Sequence, residues 1–98
     1  MKIQKNEFKK ELVMVSSDNC SYCENSKEYL NNNMLPYRVV NYKLFPPFKE
    51  GGFRSVPQFF LFDRSTGEYE LLCTQGYVGL MKLNKETILN KLRGIDET

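Results

Sequence analysis

The sequence predicts an α/β domain built on a four-stranded mixed β-sheet flanked by helices, and three observations predict it. Two short runs, Leu12-Val13-Met14-Val15 and Gln58-Phe59-Phe60-Leu61-Phe62, are apolar on both faces, the pattern of strands covered above and below. Between them lie an amphipathic segment reaching to about Asn33 and a third run, Tyr37 to Tyr42, which starts afresh after Pro36. A strand, a helix and a strand within about thirty residues make a right-handed parallel crossover unit. Finally, Asp63-Arg64-Ser65-Thr66-Gly67-Glu68 offers a glycine for a positive φ, so it connects Phe62 to Tyr69-Glu70-Leu71-Leu72-Cys73-Thr74 as an antiparallel hairpin.

The elements follow in order. Asn6 to Glu11 holds helix formers with Phe8 and Leu12 four apart, which predicts a short N-terminal helix; Lys2, Lys5, Lys9 and Lys10 form its solvated face. Leu12 to Val15 is the first strand. Ser16-Ser17-Asp18-Asn19 is turn chemistry that stops the strand and caps the helix behind it. In that helix Tyr22, Ser26, Tyr29, Leu30 and Asn33-Met34 are expected inward, with Glu24, Lys27 and Glu28 in water. The triple asparagine 31–33 suits a left-handed helix stop. Lys43 to Val56 contains Pro46-Pro47 and Gly51-Gly52, leaving room for a turn or two of helix around Phe48-Lys49-Glu50, with Phe45, Phe48 and Phe53 tucked beneath as satellite core. Gly76 and Gly79 bracket Tyr77-Val78 in an expected turn where a backbone can come close to something. The last helix has Asn84 as N-cap, Leu83 and Ile88 as a hydrophobic staple, Ile88, Leu89 and Leu92 as its apolar face, and Lys91, Arg93 and Gly94 as C-terminal signals.

At 98 residues the chain is expected to form a single domain spanning 1–98, burying roughly 60 to 65% of its unfolded surface. Fourteen basic and twelve acidic residues leave a net charge of +2 without long blocks, so no nucleic-acid footprint is present. The opening Met1-Lys2-Ile3-Gln4-Lys5 lacks the apolar core of a signal peptide and no run approaches membrane-spanning length. A cytoplasmic location, no membrane association and a monomer are therefore the expectations. Three cysteines do not suit a secreted disulfide framework, and in a reducing compartment a C-x-x-C is redox-active or metal-binding more often than a staple.

The chemistry centres on Asn19-Cys20-Ser21-Tyr22-Cys23. At a strand-to-helix turn Cys20 falls at the helix N-cap, where orphan N–H groups and the helix dipole favour a thiolate. Cys20 is then the nucleophile, and Cys23, within the first turn, can attack a mixed disulfide formed there and close an intramolecular bond. Two other readings stand beside this one. A structural zinc site wants four ligands, and the chain offers no histidine and one further cysteine, Cys73. Alternatively, the two cysteines pack as small apolar residues. Cys73, alone in a strand, is expected to pack in or beside the sheet.

With Cys20-Ser21-Tyr22-Cys23 after the first strand and Ser55-Val56-Pro57 before the third, nearly the whole chain resembles the thioredoxin-like fold, and within it a compact glutaredoxin of the viral or phage kind. The resemblance implies an oxidoreductase for protein or glutathione mixed disulfides, acting in electron transport and redox homeostasis. Cys20 attacks, Cys23 resolves, and the proline matching Pro57 is cis and faces the cysteines. Tyr22 shapes the surface around Cys20, and an extended substrate pairs with the Val56 backbone. Ser21, Tyr22, Arg54, Ser55, Val56, Pro57, Gly76 and Tyr77 are the expected substrate contacts, Arg54 as a bidentate carboxylate partner. No bound cofactor or metal is implied; the electron donor would be glutathione or a thioredoxin-reductase-like protein. The chain departs from the family pattern twice. Ser17-Asp18-Asn19 stands where many members carry a basic residue, and Gln75-Gly76-Tyr77-Val78-Gly79 where many carry Gly-Gly and a polar or acidic residue. Some members with Cys-Ser-Tyr-Cys bridge an iron–sulfur cluster between two subunits, which is the alternative function the resemblance implies.

Overall fold

The structure, a computed structural model, describes residues 8–95. Four strands form one sheet in the order β2-β1-β3-β4, from β1 (Lys10–Ser16), β2 (Arg38–Asn41), β3 (Gln58–Asp63) and β4 (Glu68–Leu71). β1 runs parallel to β2, with Val13 opposite Arg38 and Ser16 opposite Asn41, and antiparallel to β3, with Leu12 opposite Leu61. β3 and β4 close the hairpin, Phe60 opposite Leu71 and Asp63 opposite Glu68. The helices are α1 (Ser21–Asn32), α2 (Pro46–Glu50), α3 (Gly76–Met81) and α4 (Lys85–Leu92), with a 3₁₀ turn at Tyr42–Leu44.

Strand side chains alternate between faces, so the two-sided apolar runs must feed two cores. Leu12 and Met14 of β1 and Phe59 and Leu61 of β3 join Cys23 and Leu30 of α1, Leu80 of α3 and Ile88, Leu89 and Leu92 of α4. Val13, Val15 and Phe60 point the other way, to Phe45 and Phe48, with Phe53 and Phe62 packed against them. The phenylalanines of the 42–53 segment thus make the expected second core, as a chain of ring contacts from Phe48 through Phe53 and Phe60 to Phe45.

Five expectations need correction. No helix covers Phe8 to Glu11: β1 begins at Lys10 because Lys10 and Glu11 pair with Asp63 and Phe62, and long-range ladder bonds outweigh weak helix propensity. Asn6, Glu7, Lys2 and Lys5 lie outside the described residues. Gly76 to Gly79 is not a turn but the start of α3, which runs through both glycines. Tyr22 and Met34 are exposed rather than inward, and the inward face of α1 is Cys23, Ser26 and Leu30. The left-handed residue after α1 is Met34, at φ 55°, while Asn33 caps the helix at φ −93° and donates its side-chain amide to the Tyr29 carbonyl. β4 ends at Leu71, so Cys73 sits just past the strand against the first core. α4 forms as expected: the Asn84 side chain accepts the Thr87 N–H at 2.8 Å, and Gly94 follows at φ 77°.

Candidate functional site

β1 ends at Ser16, and the chain turns through Asn19, whose φ of 57° falls in the left-handed region that asparagine tolerates. That turn delivers Cys20 in extended backbone (φ −112°, ψ 104°) as the N-cap of α1. Its carbonyl accepts the first helical hydrogen bond, from Glu24 N at 3.2 Å, and its Sγ accepts the Cys23 N–H at 3.1 Å. Sulfur therefore occupies the place of the usual N-cap oxygen, where an orphan amide and the helix dipole favour negative charge.

Cys20 and Cys23 form a disulfide with their Cα atoms 5.2 Å apart. The two sulfurs are not equivalent, since Cys20 is partly exposed while Cys23 is 1% exposed in the first core. An incoming molecule can reach only the N-terminal one. The inner end of the helix start is fixed by Ser26, fully buried, whose hydroxyl donates to the Tyr22 carbonyl at 2.7 Å.

Three further segments meet the cysteines. The Val56-Pro57 peptide is cis and brings the Val56 carbonyl oxygen to 3.9 Å from Cys20 Sγ. Pro57 itself is buried. α3 lies against the same peptide: Gly76 has φ 51°, and a Cβ there would overlap the Pro57 carbonyl oxygen. The next residue, Tyr77, sets its ring 5.2 Å from that of Tyr22. Beyond Val56 opens a groove of about 510 Å³ lined in part by Ser17, Asp18, Lys43, Arg54 and Ser55.

Of the residues expected from the sequence, Cys23 and Val56 contact the outer sulfur of Cys20, Pro57 follows across the cis bond with Gly76 against its carbonyl, and Tyr77 meets Tyr22. Ser21 is exposed at the first position of α1, and Arg54 and Ser55 stand on the groove side of Val56. Sequence reasoning missed Gln58, which is buried and donates its amide to the Ser55 carbonyl at 3.1 Å and to Ser55 Oγ at 3.4 Å. Its signal was a polar residue opening an otherwise apolar strand. Lys43 and Asp18 on the groove wall were also not marked as substrate contacts.

Cys73 stands apart from this chemistry. Burial pushes its thiol up to about 11, against which nearby Lys91 works only weakly. Its Sγ approaches the Gly76 carbonyl at 3.9 Å. Among the described residues no three His, Cys, Asp or Glu side chains gather where they could hold a metal ion, so the zinc reading of Cys20 and Cys23 gains no further ligand there. No helix among them is long and apolar enough to cross a membrane.

A parallel β1-α1-β2 crossover, an antiparallel β3-β4 hairpin and a cysteine pair at a helix start define an architecture compatible with the thioredoxin-like fold. The cysteine spacing and the bond between them are compatible with a redox-active thiol motif. No protein-family model and no curated protein matches the chain.

Proposed function

We propose that the protein is a thiol–disulfide oxidoreductase of glutaredoxin type, working in the cytosol on protein or glutathione mixed disulfides. The single observation that carries the reading is the N-cap sulfur: Cys20 Sγ accepts an orphan helix N–H, is partly exposed, and has its partner sulfur buried behind it.

In the reduced protein the Cys20 thiolate attacks one sulfur of the substrate disulfide. The substrate S–S bond breaks, a Cys20–substrate disulfide forms, and the departing substrate sulfur leaves as a thiolate that takes a proton from solvent. Cys23 then loses its proton and attacks Cys20 Sγ; the Cys20–Cys23 bond forms and the second substrate thiolate departs. The protein has given up two electrons, and two thiols of glutathione, or the dithiol of a reductase, restore it. The Val56 backbone and the tyrosines beside it hold the substrate chain against the outer sulfur.

The test is a pair of variants in a mixed-disulfide reduction assay. Cys20→Ser abolishes turnover. Cys23→Ser keeps the first attack and accumulates a mixed disulfide visible by mass spectrometry. Equal survival of activity in both variants overturns the reading. Reduction of the oxidised protein by glutathione compared with a thioredoxin reductase identifies the electron donor.

A further inference from the structure

Two surfaces near Cys20 differ in kind, one reached through Tyr22 and one through Val56. On one side stand the rings of Tyr22 and Tyr77, with Tyr22 58% and Val78 55% exposed and Met81 exposed further along α3. The segment from Gln75 to Met81 carries no charge at all. On the other side, past Val56, the groove presents Arg54 and Lys43 against a single carboxylate, Asp18. Among the described residues the Arg54 side chain makes no ion pair or hydrogen bond, and the Lys43 ammonium lies 5.9 Å from the Tyr42 ring centroid. Val56, whose carbonyl oxygen lies 3.9 Å from the outer sulfur, thus borders a groove with an excess of positive charge, and Tyr22, two residues on from Cys20, belongs to an aromatic, uncharged surface.

A substrate held on both walls must be apolar on one side of its sulfur and anionic on the other. Exposed aromatic surface next to a reacting group gains most by covering an aliphatic or aromatic side chain. A guanidinium without a partner gains most from a carboxylate, which it can meet through two parallel hydrogen bonds. The Val56 backbone between them suits an extended chain. Glutathione fills this arrangement poorly, because it is charged on both sides of its sulfur, by the γ-glutamyl amine and carboxylate on one and the glycyl carboxylate on the other, so either orientation sets a charge against the uncharged α3 surface.

We propose, building on the oxidoreductase reading, that the preferred substrate is a disulfide in a polypeptide whose cysteine has an aliphatic or aromatic neighbour on one side and an acidic neighbour on the other. Tyr22, Tyr77 and Val78 take the first and Arg54 takes the second. The chemistry is that already given: the client's S–S bond breaks, the Cys20–client bond forms, and the client's other sulfur leaves as a thiolate and is protonated by solvent.

The experiment measures kcat/KM, with dithiothreitol as reductant, for synthetic disulfide peptides carrying phenylalanine or serine on one side of the cysteine and aspartate or lysine on the other. Oxidised glutathione and hydroxyethyl disulfide are run beside them. The phenylalanine–aspartate peptide is expected to exceed both the serine–lysine peptide and oxidised glutathione by about tenfold. Arg54→Glu moves the preference from aspartate to lysine, and Tyr77→Ser removes the preference for phenylalanine while leaving that for aspartate. Peptide rates equal within about twofold, or oxidised glutathione as the best substrate, overturn the proposal, while reduction of hydroxyethyl disulfide in the same assay leaves the oxidoreductase reading standing. Binding of serine-for-cysteine versions of the peptides to the Cys20→Ser, Cys23→Ser protein is read separately by fluorescence anisotropy. The same ranking there, with no reduction of any disulfide, supports the recognition surface and sinks the redox reading; no ranking in either measurement together with no reduction of any disulfide sinks both.

Discussion

Single positions carry the site, and Gly76 is the sharpest of them. It has a positive φ and a Cβ there meets a backbone carbonyl, so Gly76→Ala is expected to cost about 1–3 kcal/mol in urea unfolding and to raise KM by moving Pro57. Gly67 has φ 74° but open space around it. Gly67→Ala should therefore cost only the backbone term, about 1 kcal/mol, and leave KM alone. Cys73 gives a pH prediction. Its folded value of about 11 lies above the ordinary 9.0, so its neutral burial contributes stability in full below about 9 and loses it as pH rises through about 11. The stability gap between the wild type and Cys73→Ala should accordingly narrow over that interval, and in native, reduced protein iodoacetamide should label Cys20 well before Cys73. Spacing and turn chemistry, which are local, disclosed Cys20 and Cys23, whereas Val56 and the cis Pro57 were legible only through the resemblance of Ser55-Val56-Pro57 to a family motif. The sequence did not disclose Gln58, because the partner of a buried amide is fixed only when the loop closes over it.

Among the elements, β1, β3 and α4 were the most legible. Two-sided apolar runs have few alternatives to a covered strand, and Asn84, Ile88 and Gly94 are cap and staple signals that act within one turn. Asn84→Ala should cost about 1 kcal/mol, seen as a lower thermal midpoint, since it leaves the Thr87 N–H without its acceptor. α3 was illegible for a physical reason. Two glycines in four residues read as a turn, yet each is required by a close approach: Gly76 to Pro57, and Gly79 to the Thr74 carbonyl, which a Cβ would overlap. Tertiary crowding selected glycine, and the helix formed in spite of its propensity. In the β3-β4 connection the Asp63 carboxylate accepts from the Ser65 N–H at 2.9 Å and the Ser65 hydroxyl at 2.6 Å, which lower its pKa from the ordinary 3.8. That turn therefore weakens as pH falls through the lowered value and is unaffected above 3.8, which amide exchange at the hairpin would register.

At the scale of the molecule, cover on both faces of the sheet followed from counting faces, since strands apolar on both sides demand cover on both sides, while the order β2-β1-β3-β4 is set by long-range pairing and was not legible. The expected N-terminal helix failed at this scale, because Lys10 and Glu11 answer to β3 and to ion pairs across the sheet. Lys10 bonds Glu70, and Glu11 accepts from Arg38 at 3.0 Å and lies 3.7 Å from Arg64. Pairing with Glu11 raises the Arg38 pKa, but the pair is largely exposed and contributes little. The central residue is Phe59, fully buried in the middle of the sheet between the helices; Phe59→Ala should cost about 3–5 kcal/mol and lower the urea midpoint more than any substitution named above.

The outer and inner sulfurs lie within one turn of each other, whereas the Val56 carbonyl beside the outer one and the Tyr77 ring that meets Tyr22 arrive much later in the chain. During synthesis the thiol pair leaves the ribosome first and waits, bare, for its surroundings. A nascent chain stalled before residue 56 therefore carries the cysteine pair without the Val56 carbonyl and the Tyr77 ring, which only the later part of translation supplies.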